Sequence, residues 1–159
     1  MKTNYLLPNR YKTIGWILFI LGLIGGVLVY MSEYESDALT IKVLSLYFDP
    51  FTIGVQEDAG FFKIIENSIV DELAALAIII GGLLVGFTKE RIEDEFIYKL
   101  RKDSLVWAII FNYSVLILAI IFVYDLTFFD VLVFNMFTPL IFFIVRFNFL
   151  KRKSISHEE

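Results

Sequence analysis

Cysteine is absent from this 159-residue chain, which excludes disulfides, thiol catalysis and thiolate metal sites. Histidine occurs once, as His157 beside the C-terminal end, so no Ser–His–Asp set can form within the body of the chain. Phosphate-binding glycine loops and nucleotide motifs are missing too. No catalytic constellation and no cofactor site is expected. The polar tails are too short for a nucleic-acid-binding domain. Neither Gly nor Pro occurs between Gly86 and Pro139, so nothing in that stretch breaks a helix.

Charge is scarce where the chain is most apolar. Hydrophobic residues make up 58% of it and 17 are Phe, against roughly 45–50% apolar in soluble domains. The excess falls in four runs, 13–31, 69–88, 105–124 and 128–147. Each is close to the roughly 20 residues that a helix needs to cross a hydrocarbon core of about 30 Å. Backbone groups in lipid must pair within their own segment, so the runs are expected to be transmembrane helices. The first could be a signal peptide, but it is long for one and no small-x-small cleavage site follows Tyr30, so an uncleaved span is preferred.

Basic residues set the orientation. Lys2, Arg10 and Lys12 precede the first run. Lys89, Arg91, Lys99, Arg101 and Lys102 lie between the second and third. Arg146, Lys151, Arg152 and Lys153 end the fourth. These are 12 of the 14 basic residues, and only Lys42 and Lys63 fall on the other side. The split places both termini in the cytoplasm and requires an even number of crossings. The expected address is the plasma (inner) membrane.

Gly22 and Gly26 form a GxxxG in the first run, and Gly82 and Gly86 another in the second. Such spacing lets helix backbones approach closely, inside one bundle or between copies of the chain. The third and fourth runs contain no Gly. Their polar residues Asn112, Ser114, Asn135 and Thr138 are expected to form an interhelical cluster worth about 0.6–2 kcal/mol per hydrogen bond, or to line a solute path. Pro139 frees the carbonyl of Asn135 and predicts a kink.

The connection 32–68 is acidic yet too apolar for a disordered tether. Leu39 to Val43 alternates like a strand, Asp49-Pro50 reads as a turn, and Lys63 to Asn67 as the start of a short helix. A small extracytoplasmic cap is expected, its aromatics dipping into the headgroup region. Asp71 and Glu72 are read as first-turn acids that complement the helix dipole rather than as a proton relay. Ser68-x-x-Asp71 and Thr127-x-x-Asp130 have the spacing of helix caps. The membrane interior then holds no clear ionisable residue, which weakens ion pumps and proton-coupled exchangers.

The connection 89–104 carries Ile92, Phe96 and Leu100 at intervals of four, with opposite charges paired at Arg91–Glu95, Glu95–Lys99 and Lys99–Asp103. It is expected to be an amphipathic helix joined to the third run, about 36 residues and roughly 54 Å in all. Its apolar stripe suits docking of a cytoplasmic partner or a second copy. Glu90, Glu93 and Asp94 sit among five basic residues with no His beside them, so no metal site is expected. Lys151-Arg152-Lys153 suits anionic headgroups.

The fold class expected is therefore all-α, a four-helix transmembrane bundle with a small extracytoplasmic cap between the first two helices. The expected role is non-enzymatic, that of a partner-binding, sensing or scaffolding subunit. Its partners would be membrane lipids, a cytoplasmic or membrane protein, or itself, and not nucleic acid. The alternative is an oligomeric small-solute channel or transporter.

Overall fold

The computed structural model describes residues 6–32, 39–48 and 60–155. Lys2, His157, most of the acidic residues of the 32–68 connection and the Asp49-Pro50 turn lie outside these. The elements in chain order are α1 (Tyr11–Met31), β1 (Thr40–Phe48), β2 (Gly60–Ser68), α2 (Val70–Phe87), α3 (Glu95–Phe122) and α4 (Leu126–Ile155). All four helices are long and apolar enough to cross a membrane. At most 33% of the most apolar 18-residue stretch of any one of them is buried within the molecule. Their outer faces carry Ile17, Leu21, Leu76, Ile80, Ile117, Ile120 and many similar exposed side chains. Water tolerates no apolar patch of that extent. Lipid requires one.

The helices pack in the order α1, α2, α4, α3, and the closest seams are the sequential hairpins α1–α2 and α3–α4. The α1–α2 seam is tight because glycine backbones meet there. A Cβ on Gly81 would lie 2.4 Å from the backbone N of Phe19, and one on Gly22 would lie 2.6 Å from that of Ile78. The paired GxxxG motifs therefore do not face each other. Gly22 meets α2, whereas Gly82 and Gly86 receive Leu140 and Phe143 of α4, each 2.5 Å from where a Cβ would stand. Gly81 and Gly82 are neighbours in sequence but about 100° apart around the helix, so α2 presents glycine on two sides. Gly26 meets no backbone; its nearest neighbour is Ile78 Cδ1 at 3.6 Å. The buried core formed at these seams is Phe19, Ile78, Val85, Ala108, Phe143, Ile144 and Phe147.

Two expectations about the connections are corrected. The 60–68 stretch is a strand, not a helix start: β2 pairs antiparallel with β1 from Thr40↔Ser68 to Phe48↔Gly60. Phe61, Phe62, Ile64 and Ile65 favour a pleated surface, and β1 supplies the partner a short segment cannot foresee. The fold is thus helical with a two-stranded sheet. The 89–104 segment is not one helix, because α3 begins only at Glu95, with Asp94 as N-cap accepting from the Ile97 N–H at 2.7 Å. The acids ahead of it are engaged elsewhere, as described below. The helix is 28 residues, about 42 Å at 1.5 Å per residue.

Helix starts also differ from the predicted caps. Ile69 is the N-cap residue of α2 and makes no side-chain cap bond, while Ser68 ends β2. Asp71 and Glu72 do lie in the first turn. Thr127 and Asp130 both lie inside α4, which starts at Leu126 after a tight turn with Asp125 at φ 59°. Asp tolerates that left-handed conformation better than most residues. The α4 helix continues through Pro139 to Ile155.

Candidate functional site

Three polar or open regions interrupt the apolar helices, at the middle, at the basic end and at the hairpin end.

At the middle, Asn112 and Asn135 exchange two side-chain hydrogen bonds. The Asn135 amide donates to Asn112 Oδ1 at 3.0 Å, and the Asn112 amide to Asn135 Oδ1 at 3.4 Å. Ser114 and Thr138 do not join them. Ser114 donates to the carbonyl of Ile110 at 2.8 Å and Thr138 to that of Phe134 at 3.0 Å, each within its own helix. The reason is angular: two residues beyond Asn112 is about 200° around α3, so Ser114 turns away and is exposed. Each amide donates one N–H and accepts one on its oxygen, which makes the pair a lock between α3 and α4. Asn112→Leu is expected to lower stability by about 0.6–2 kcal/mol without unfolding the protein. Denaturation of both forms in detergent measures it, and identical midpoints would show that the lock carries nothing.

At the basic end, the chain before α1, the 88–94 loop and the ends of α3 and α4 are tied together. Leu7 bridges Thr88, with the Leu7 N–H donating to Phe87 O at 3.0 Å and the Lys89 N–H to Leu7 O at 2.9 Å. Glu90 accepts from Lys12 of α1 and lies 3.2 Å from Lys151 of α4. Burial alone would raise the Glu90 pKa. The hydrogen bond and charge of Lys12, with Lys151 beside it, outweigh this and hold it below the ordinary carboxylate range. Glu93 takes Arg101 of α3 in a two-point contact, 2.5 and 3.1 Å, and accepts from the Glu90 N–H at 2.8 Å. Arg101 is buried and its guanidinium stands 5.2 Å over the Phe147 ring. Thr88 and Ser104 are fully buried nearby in the chain.

These contacts change the reading of the apolar stripe. Ile92 sits in the loop and is exposed, and Phe96 is exposed on α3. Leu100 instead turns inward against the core, beside Ile97. The three do not act as one face: Ile92 lies ahead of α3, and the buried stripe of the helix begins only at Arg101 and runs through Ser104, Ala108 and Asn112, so Phe96 in the first turn is left exposed. The ion pairs here are to Glu90 and Glu93, and the predicted i,i+4 pairs are not among those formed by the described residues. Sequence reading passed over Arg101 and Glu93 as surface charges. The usable signal was the spacing of Arg101, Ser104, Ala108 and Asn112, which runs from the charged segment into the apolar one at intervals of three and four.

At the hairpin end lie two further features. The first is the β1–β2 sheet itself. One of its faces carries Leu44, Leu46 and Ile64, which like Phe62 at the irregular position of β2 (φ 55°) are at least 62% exposed. Beside them the Lys42–Glu66 ion pair, at 3.7 Å, is open to solvent. The other face carries the Tyr47–Phe61 ring pair, with centroids 5.0 Å apart. Among the described residues the sheet has two strands.

The second feature is a cleft of about 560 Å³ between α1, α2 and α4, open along one side. Gly26, Ala74 and Ala75 leave it unfilled, and the edge-on contact of Tyr30 with Phe134, at 5.3 Å between centroids, braces α1 against α4 beside it. Leu23, Val27, Ile78, Val133, Phe137 and Ile141 supply apolar walls, and Thr138 also faces in. Asp71, Glu72 and Asp130 line it, with Glu72 receiving a hydrogen bond from Asn67 at 2.8 Å. Among the described residues no acidic, His or Cys group is arranged to hold a metal ion.

Comparison with known protein families, with curated proteins and with solved structures finds no match to this chain.

Proposed function

We propose that this is a non-enzymatic, multi-pass protein of the plasma (inner) membrane that works through contacts, as a partner-binding, sensing or scaffolding subunit. The four helices form its transmembrane bundle and the hairpin its extracytoplasmic cap. Both termini are cytoplasmic, since the end that gathers the chain start, the 88–101 segment and the end of α4 carries most of the Lys and Arg. The exposed Arg152 and Lys153 in the last turn of α4 meet anionic headgroups there.

The observation that supports the contact role best is the hairpin. An isolated pair of strands is marginal in water and needs a third strand or a packed face to persist. Among the described residues no third strand joins the pair, and Leu44, Leu46, Phe62 and Ile64 stand in the open. Each such side chain gains about 1.5–3 kcal/mol when fully covered. A protein partner on the outer surface answers both needs. The docking surface expected on the cytoplasmic connection has less support, because Leu100 is turned into the core. The channel alternative is weakened likewise, since Asn112 and Asn135 are paired with each other and Ser114 and Thr138 with carbonyls of their own helices.

The test is a pull-down from native membranes in mild detergent with the parent and with the double variant Leu44→Glu/Ile64→Glu. The parent is expected to retain a stoichiometric partner that the variant loses at least tenfold, with the helices unchanged by circular dichroism. Retention of the same partner by both forms removes the hairpin from the interaction. A parent that purifies only with copies of itself and conducts a small solute supports the channel instead.

A further inference from the structure

The cleft between α1, α2 and α4 combines two properties that seldom coexist at a helix seam. Its walls are apolar and its volume of about 560 Å³ falls within the roughly 300–1,000 Å³ of small-molecule sites. It is also charged with one sign only: Asp71, Glu72 and Asp130 line it, and among the described residues no Lys, Arg or His does. Asp71 and Glu72 belong to the first turn of α2, and Asp130 stands just past the first turn of α4. They therefore stand at the hairpin end, while Leu23, Ile78 and Ile141 lie further along the helices.

That arrangement selects for a particular chemistry. A bare divalent ion needs several oxygens converging at 2.0–2.6 Å, and no group among the described residues is so arranged. An anion meets only carboxylates. A neutral lipid tail matches the walls but leaves the acids without a counter-charge. An organic cation with a bulky apolar body satisfies both, its body between the helices and its charge beside the carboxylates. A cleft open along one side admits such a molecule from the lipid, where amphiphilic cations concentrate.

We propose that this cleft is a binding site for lipophilic organic cations. The site does not depend on the hairpin partner, and the two readings fail separately. The absence of filler side chains is what creates it. Gly26 lines the cleft and has room for a Cβ, its nearest neighbour being the flexible end of Ile78 at 3.6 Å, so it is the position from which a longer side chain is expected to fill the cleft.

The test uses tetraphenylphosphonium and the nearly isosteric anion tetraphenylborate, with purified protein in nanodiscs of zwitterionic phosphatidylcholine. Equilibrium dialysis is expected to show saturable binding of the phosphonium at about one per chain, and only non-saturable partitioning of the borate. Asp71→Asn/Glu72→Gln/Asp130→Asn should weaken the phosphonium at least tenfold. Gly26→Leu should abolish its saturable binding while leaving the thermal midpoint near that of the parent. Saturable binding of both ions alike means an unselective apolar groove and overturns the proposal. Binding unaffected by Gly26→Leu places the ion elsewhere and does the same. If the triple variant does not fold, the contrast between the two ions and the Gly26→Leu result decide the matter by themselves.

Discussion

Replacing Glu93 with Ala is expected to destabilise the protein by about 3–5 kcal/mol, the usual consequence of leaving a buried charge without its partner. The Arg101 side chain that Glu93 holds is 4% exposed. Its remaining contacts, the Thr88 carbonyl at 3.4 Å and the face of Phe147, do not neutralise a guanidinium. Glu93 also accepts from the Glu90 N–H, so the loop that carries the Lys12 and Lys151 contacts loosens with it. Arg101→Lys should recover little, because an ammonium cannot reproduce the two-point geometry. Glu93→Leu/Arg101→Met should be far milder than Glu93→Ala, since replacing both members with apolar groups removes the stranded charge. Thermal denaturation in a mild detergent measures all four forms. A loss below about 1 kcal/mol for Glu93→Ala would mean that water reaches Arg101 and that the pair behaves as a surface salt bridge.

The second large effect is expected at Gly81. Its Cα lies so close to α1 that an added methyl would stand 2.4 Å from Phe19 N and 2.8 Å from Phe19 Cα. Those atoms are backbone and cannot rotate aside, so the whole α1–α2 seam has to open. Gly81→Ala is expected to cost about 1–3 kcal/mol, in the range of overpacked cores, and Gly81→Leu more. Gly26→Ala, on the same seam but with nothing closer than 3.6 Å, should be neutral or better by the roughly 0.5–1 kcal/mol that separates Gly from Ala in helices. Unfolding in mixed micelles distinguishes the two. Equal losses at both glycines would refute the close approach as the cause.

Both predictions rest on residues whose importance is not visible along the chain. Gly81 precedes the obvious Gly82-x-x-x-Gly86 spacing and reads as incidental. It faces α1 only because α2 turns about 100° per residue and α4 claims the next face. Arg101 lies among Lys99, Lys102 and Asp103 and reads as one more solvated charge. It is buried because Phe147 and Glu93, one from α4 and the other from the preceding loop, arrive around it. Ser114 and Thr138 show the converse. They lie within a turn of the asparagines along their own helices, but position along a helix is one coordinate and rotation is another. Rotation is set by what α3 and α4 pack against.

The four apolar helices, by contrast, were legible from residue types alone. Runs of about 20 apolar residues have one solution in lipid, because every backbone N–H and C=O must find its partner within four residues along the chain. No distant contact is needed to reach it. The gathering of basic residues at one end was equally local, since it depends only on counting Lys and Arg between runs. What tertiary structure alone decided is which face of each helix turns inward. The same holds for 60–68, which is a strand because β1 lies alongside it, and for the space left beside Gly26, Ala74 and Ala75. These depend on pairings between segments far apart in the chain. A sequence lists the surfaces available for such pairings, and only the packed molecule selects among them, through close approach, buried charge and shape.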